Sequence, residues 1–101
     1  MAMIHLKYGS VVSQGVHLCA GMHDIEDPEF QLLVKPIVIG EHAWVAAEAF
    51  VGPGVNIGAN AVLGARAVVF KNTEPNGVYV GNPAILVKHR SFLQKKGIKN
   101  G

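Results

Sequence analysis

The sequence predicts an all-β domain in which the chain winds as a left-handed parallel β-helix of about three coils. Two observations lead to this fold class: aliphatic residues recur at every sixth position from Ile39, and small residues recur four positions after each of them. The third is a composition that is 50% hydrophobic but only 7% aromatic. Small and β-branched side chains suit closely stacked strands better than they suit a helical bundle.

The repeat consists of six consecutive hexapeptides that begin at Ile39: IGEHAW, VAAEAF, VGPGVN, IGANAV, LGARAV and VFKNTE. A period of six fits neither an amphipathic helix nor a simple strand. It fits one short strand and one turn on each wall of a three-sided prism, whose successive coils stack about 4.8 Å apart. The first and fifth positions then point inward, and Gly or Ala at the second position allows a tight turn.

The repeat extends toward the N-terminus with one interruption. Weaker hexapeptides begin at Leu6, Val12 and Leu18, but Leu18 and Ile39 are 21 residues apart, which is not a multiple of six. The segment between them is acidic, contains a proline and lacks the repeat, so we expect a protruding loop over about residues 24–36. Ile37 should re-enter the prism, and a loop of this length in a compact domain is usually functional.

Beyond the repeat, we expect one more strand, which ends before Pro83. The coils should thus occupy about residues 6–82 of a single domain that spans residues 1–101. Apolar residues between 84 and 96 predict a short C-terminal helix over the open end of the prism. Such a cap would cover unpaired backbone groups and the apolar interior of the last coil.

Charge and cysteine content exclude several classes of function. The net charge is +2 and much of the basicity lies near the C-terminus, without the basic and aromatic stripe of a nucleic-acid surface. The single cysteine, Cys19, rules out an internal disulfide and suits a cytoplasmic protein. The first residues contain no long apolar run, so we expect neither a signal peptide nor a membrane span.

Three sequence motifs together resemble a known family. The run GEHAWVAAEAFVGPGVNIGANAVLGARAVV, the loop introduced by AGMHD and the closing GNPA are similar to hexapeptide-repeat O-acetyltransferases. The similarity is greatest to the colanic acid biosynthesis acetyltransferases, within the maltose, galactoside and nodulation enzymes, and covers about residues 12–90. It implies a homotrimer with an active site in each cleft between prisms. It also implies direct transfer from acetyl-CoA to a sugar or saccharide hydroxyl, without a metal.

The resemblance places the catalytic base and two acceptor contacts. His23, in the sequence Gly21-Met22-His23-Asp24, corresponds to the base, and an imidazole suits the deprotonation of an alcohol near neutral pH. Asp24 adjoins it and could hydrogen-bond acceptor hydroxyls. Trp44 occupies the sixth, outward-facing position of its unit, where it could contact the substrate, pack in the trimer, or do both.

The resemblance also implies a groove for acetyl-CoA between two prisms. The matching residues here are Ala47, Ala65, Phe70, Lys71 and Lys88. Small residues allow the pantetheine arm to lie flat, and the two lysines could neutralise phosphates. Phe70 departs from the small polar residue that is common at its position, and Ile85 replaces a basic residue of some relatives.

Two alternatives remain open. Family members are normally longer at the N-terminus, so the chain could be a shortened, non-catalytic trimer. Its first coil would be uncapped, and we therefore also expect that two trimers could stack into a hexamer. The second alternative is a zinc enzyme like the γ-carbonic anhydrases, which share this fold and bind zinc through three histidines. The histidines that suggest it are His5, His17, His23 and His42.

Overall fold

In a computed structural model of the chain, the structure describes residues 4–23, 26, 28–29 and 32–91. The regular elements within these residues are all β-strands. They are β1 (Ile4–Leu6), β2 (Val11–Val12), β3 (His17–Leu18), β4 (Gly21–His23), β5 (Leu32–Val34), β6 (Ile37–Ile39), β7 (Trp44–Val45), β8 (Phe50–Val51), β9 (Asn56–Ile57), β10 (Val62–Leu63), β11 (Val68–Val69), β12 (Gly77–Val80) and β13 (Ile85–His89).

The strands form three parallel sheets that the chain visits in turn. Sheet A contains β1, β6 and β9, sheet B contains β2, β7, β10 and β12 with β13 at its edge, and sheet C contains β3, β8 and β11. Each new strand pairs in parallel with the strand that the previous coil left in the same sheet. This topology confirms the all-β fold of stacked coils; its left-handedness stays a prediction.

The hydrophobic core runs through the middle of the prism, as the repeat predicts. First-position side chains of the six units are at most 4% exposed, and fifth-position side chains at most 7%. The first-position residues are Ile39, Val45, Val51, Ile57, Leu63 and Val69, and the fifth-position residues are Ala43, Ala49, Val55, Ala61, Ala67 and Thr73. The inward direction of both positions is therefore confirmed.

The reason for glycine at the second position of the repeat differs from the prediction. The left-handed backbone of the turn falls at the fourth position instead, where φ lies between 58° and 76°. Those residues are His42, Glu48, Gly54, Asn60 and Arg66. Second-position glycines are needed because successive coils approach closely. A Cβ on Gly58 would lie 2.5 Å from the backbone nitrogen of Pro75, one coil further on.

The expected loop over residues 24–36 is in part a β-hairpin. β4 and β5 pair antiparallel, with Gly21 opposite Val34 and His23 opposite Leu32. We call residues 21–34 the arm. Its base is fixed by a hydrogen bond from the backbone nitrogen of Lys35 to the carbonyl oxygen of Ala20, 2.9 Å long. The chain re-enters the prism with β6, as predicted.

The predicted C-terminal helix over residues 84–96 is wrong where the structure describes this segment. Ile85–His89 is a strand that pairs antiparallel with β12, at the edge of sheet B. A strand here satisfies the backbone groups of β12, which a helix lying over the end would leave unpaired. Residues 92–96 lie outside the described residues. Among the described residues, no helix could span a membrane.

Candidate functional site

The predicted base, His23, is the last residue of β4 and so belongs to the stem of the arm. The thiol of Cys19 donates a hydrogen bond to the carbonyl oxygen of Gly21, 2.9 Å away, where the arm begins. The backbone of His23 is thereby tied to the prism through the pairing of β4 and β5. The side chain of His23 and the whole of Asp24 lie outside the described part of the chain.

Ala47 and Ala65 lie at one edge of the prism, which we call the B–C corner (residues 46–49 and 64–67). They are stacked one coil apart, because the backbone nitrogen of Arg66 donates to the carbonyl oxygen of Ala47 at 2.9 Å. Ala65 is exposed and Ala47 is partly buried. With no large side chain at either alanine, an extended ligand could run along this edge from one coil to the next.

Phe70 and Lys71 lie at the next edge, the C–A corner (residues 52–55 and 70–73), from which the arm also leaves in the first coil. They line a cavity of about 360 Å³ together with Tyr79, Pro83, Ala84 and Ile85. Its far wall is the turn between β12 and β13, where the Asn82–Pro83 peptide bond is cis. A cavity of this size falls within the range of small-molecule sites.

Trp44 and Lys88 are carried by sheet B. Trp44 pairs with Val11 and Val62 and is 48% exposed, so its side chain faces outward as predicted. Its indole Nε1 donates a hydrogen bond to the hydroxyl of Ser13. Lys88 is exposed on β13, opposite Val78 of β12. Its position is therefore fixed by the strand that replaces the expected helix.

Sequence reasoning missed an ion pair at the B–C corner. Arg66 Nε donates to Glu48 Oε1 at 2.6 Å, and both side chains are largely exposed. This hydrogen bond and the charge of the carboxylate raise the pKa of the Arg66 guanidinium above its ordinary value. The signal in the sequence is the separation of 18 residues, three repeat units, which stacks two residues on the same edge one coil apart.

A second, wider groove of about 940 Å³ follows sheet A and contains none of the predicted site residues. Its polar side chains include His5, Lys7 and Asn56. We give it less weight than the smaller cavity because it lies on a different wall from the arm. Within the described ranges, no group of three or more His, Cys, Asp or Glu side chains could hold a metal ion.

The structure thus brings some of the predicted residues together and separates others. Ala47 stacks on Ala65 at one edge, and Phe70 and Lys71 share a cavity at another. These two edges border sheet C on opposite sides, so no single cleft of one prism holds all of them. Trp44 lies on sheet B, beside the first of the two edges.

Comparisons with known proteins agree with the repeat. The family of bacterial transferases with six hexapeptide repeats matches residues 36–71. The chain is 48% identical over 81 residues to the acetyltransferase assigned to colanic acid biosynthesis in Escherichia coli K12, across 80% of the chain and 44% of that relative. It is 39% identical over 71 residues to a chloramphenicol acetyltransferase of Agrobacterium fabrum, across 64% of the chain and 34% of the relative.

The fold has a close counterpart among solved structures. A galactoside acetyltransferase in complex with coenzyme A superposes with a TM-score of 0.83 at 27% identity, over 91% of the chain and 48% of that protein. The chain spans less than half of the length of each of these three proteins. The repeat, the coils that it builds and these similarities show that the chain belongs to the bacterial hexapeptide-repeat transferase family.

Proposed function

We propose that the chain is the catalytic part of an acetyl-CoA-dependent O-acetyltransferase that acts on a sugar or saccharide hydroxyl. The observation that carries this proposal is the position of His23. It ends the first strand of an arm that leaves the C–A corner, the edge that also holds Phe70 and Lys71. An acid–base group and a cavity for the donor would then serve the same cleft.

The reaction that we propose is a direct transfer. The imidazole of His23 accepts the proton of the acceptor hydroxyl while the oxygen attacks the thioester carbonyl carbon of acetyl-CoA. The carbon–sulfur bond then breaks, and the imidazolium returns the proton to the departing thiolate of CoA. General-base help of this kind typically contributes about 10²–10⁴-fold to the rate. The similarity to acetyltransferases, one of which is solved with coenzyme A, supports this chemistry.

We further propose that the active unit is a homotrimer with its sites between prisms. The two edges that carry the proposed donor contacts border opposite sides of sheet C, and a ring of three prisms could bring one edge of each chain near the other edge of its neighbour. Sheet B supports such packing, because its outer side exposes several large apolar residues. They are Val11, Trp44, Val80, Ile85 and Val87, each at least 40% exposed.

The test compares two histidine variants in a free-thiol assay with acetyl-CoA and a panel of acceptors. The panel contains sugars and chloramphenicol, because one relative carries the name of a chloramphenicol acetyltransferase. His23→Ala should lower turnover at least 100-fold while CoA binding and the oligomeric state, followed by calorimetry and light scattering, stay unchanged. His17→Ala is the matched control, since His17 is exposed on sheet C and should be dispensable.

Two results would contradict the proposal. Undiminished turnover of His23→Ala would remove this residue from the mechanism. Failure of the unchanged chain to bind CoA would favour the non-catalytic alternative, and stoichiometric zinc in elemental analysis would favour the hydratase.

A further inference from the structure

Phe70 is an aromatic ring that is held in place and yet widely open to solvent. Its ring centroid lies 5.6 Å from that of Phe50, with the two planes tilted by 44°. A Cβ on Gly52 would lie only 2.6 Å from Phe70 Cδ1, so the ring occupies the space that a side chain would fill. Phe70 is nevertheless 54% exposed. One side of the ring is thus packed on the preceding coil, and the rest is available for contact.

The cavity at the C–A corner lies next to this ring. Phe70, Tyr79, Pro83 and Ile85 give it apolar walls. The hydroxyl of Tyr79 accepts a hydrogen bond from the backbone nitrogen of Glu74 at 2.9 Å, so this polar group is already satisfied. The cavity therefore suits a flat, largely apolar ligand group.

A cation stands beside the apolar cavity. Lys71 lines it, is exposed, and has no carboxylate at ion-pair distance among the described residues. Its ammonium group is therefore available to an anionic ligand. An aromatic surface next to a free cation complements a purine base that is joined to phosphates.

We propose that Phe70 is the stacking surface for the adenine base of CoA, with Lys71 beside the phosphates that adjoin it. This inference rests on the proposed function, which supplies CoA as the ligand. Adenine is the aromatic part of that donor, whereas the pantetheine arm is a flexible chain. The position held by a small polar residue in relatives thus becomes a binding contact in this chain, so that the nucleotide end contributes to donor affinity.

The experiment measures dissociation constants of CoA and of pantetheine, which lacks the nucleotide, by calorimetry. Phe70→Ala should weaken CoA binding about tenfold or more, as the loss of a base stack does elsewhere, and leave pantetheine binding unchanged. Phe70→Trp should retain CoA binding because it keeps an aromatic face. Gly52→Ala should also weaken CoA binding, because the new methyl group displaces the ring without removing it. Circular dichroism and light scattering verify the fold and the assembly of each variant.

The outcomes separate this inference from the proposed function. If the unchanged chain binds neither CoA nor pantetheine, the proposed function fails and the stacking contact fails with it. If the unchanged chain binds CoA and Phe70→Ala binds it equally well, only the stacking contact is refuted. Equal losses for CoA and pantetheine, or a change of assembly in Phe70→Ala, would also refute it, since Phe70 would then act through the fold or an interface.

Discussion

The indole Nε1 of Trp44 donates a hydrogen bond to the hydroxyl oxygen of Ser13, 3.1 Å away, and so links two successive coils of sheet B. Although Trp44 is 48% exposed, this bond restricts the orientation of its ring. A half-exposed, oriented tryptophan beside the B–C corner could contact the acceptor or a neighbouring chain, and the two roles predict different results.

For the acceptor role, Trp44→Ala should raise the KM for the acceptor about tenfold without changing CoA affinity or assembly. Ser13→Ala should have a smaller effect of about two- to tenfold, because one hydrogen bond contributes about 0.5–1.5 kcal/mol. Steady-state kinetics and light scattering give both readouts. Trp44 is the single tryptophan of the chain, so its fluorescence should also change when the acceptor binds. Dissociation of the oligomer in Trp44→Ala would instead assign the residue to chain packing.

The close approach of successive coils makes a second prediction, on Gly58. A Cβ there would meet two backbone atoms, the nitrogen of Pro75 at 2.5 Å and the carbonyl carbon of Glu74 at 2.7 Å. Backbone can yield only if the coils move apart, so Gly58→Ala should lower the free energy of unfolding by about 1–3 kcal/mol. Urea denaturation followed by circular dichroism measures the change.

Gly64→Ala is the matched control, at the same repeat position. The nearest atom to its Cβ is a side-chain carbon, Val80 Cγ1 at 2.9 Å, and Val80 is 40% exposed and can rotate away. The reduced entropy of the unfolded chain also favours alanine by about 0.4–1 kcal/mol. We therefore expect almost no loss for Gly64→Ala. Equal losses in the two variants would refute the argument from coil spacing.

The direction of each side chain in the coils could be predicted because it depends only on the period. Leu63 and Ala67 are fully buried, as their repeat positions require. The role of the second-position glycine could not be predicted, because the repeat does not say which backbone atoms of the next coil lie nearby. The segment Ile85–His89 was mistaken for helix because a short apolar run fits either structure, and its pairing with β12 decides between them.

The candidate site was less predictable than the fold. Sequence similarity alone assigned Ala47 and Phe70 to one ligand, and nothing in the sequence indicated that they lie at different edges of the prism. The packing of Phe70 on Gly52 has a sequence signal, since the two are 18 residues, or one coil, apart. Recognising it requires knowledge of how far successive coils are separated.

A third prediction compares two leucines at the first position of the repeat. Leu63 is fully buried, whereas Leu6 is 55% exposed. Leu63→Ala should cost about 2–5 kcal/mol, because it leaves a cavity in the core. Leu6→Ala should cost no more than about 1 kcal/mol, since most of its side chain already contacts solvent. Thermal and urea unfolding provide the comparison, and equal costs would mean that Leu6 is covered in solution.

The final prediction concerns the left-handed turn residues, of which Asn60 has φ of 62°. Its backbone nitrogen donates to the carbonyl oxygen of Glu41, and its own carbonyl oxygen accepts from Arg90 Nη1, so neither bond depends on the side chain. Asn60→Val should nevertheless destabilise the chain by about 1–2 kcal/mol, because a β-branched residue strongly disfavours this backbone conformation. Asn60→Gly should be tolerated.

The same substitution at Asn56 is the matched control. Asn56 is exposed on β9, and an extended strand favours valine over asparagine. Asn56→Val should therefore leave the free energy of unfolding unchanged or raise it slightly, as measured in the same urea titrations. If Asn60→Val proved as stable as Asn56→Val, the fourth position of the repeat would not need a residue that tolerates positive φ, and the geometry assigned to the corners would be incorrect.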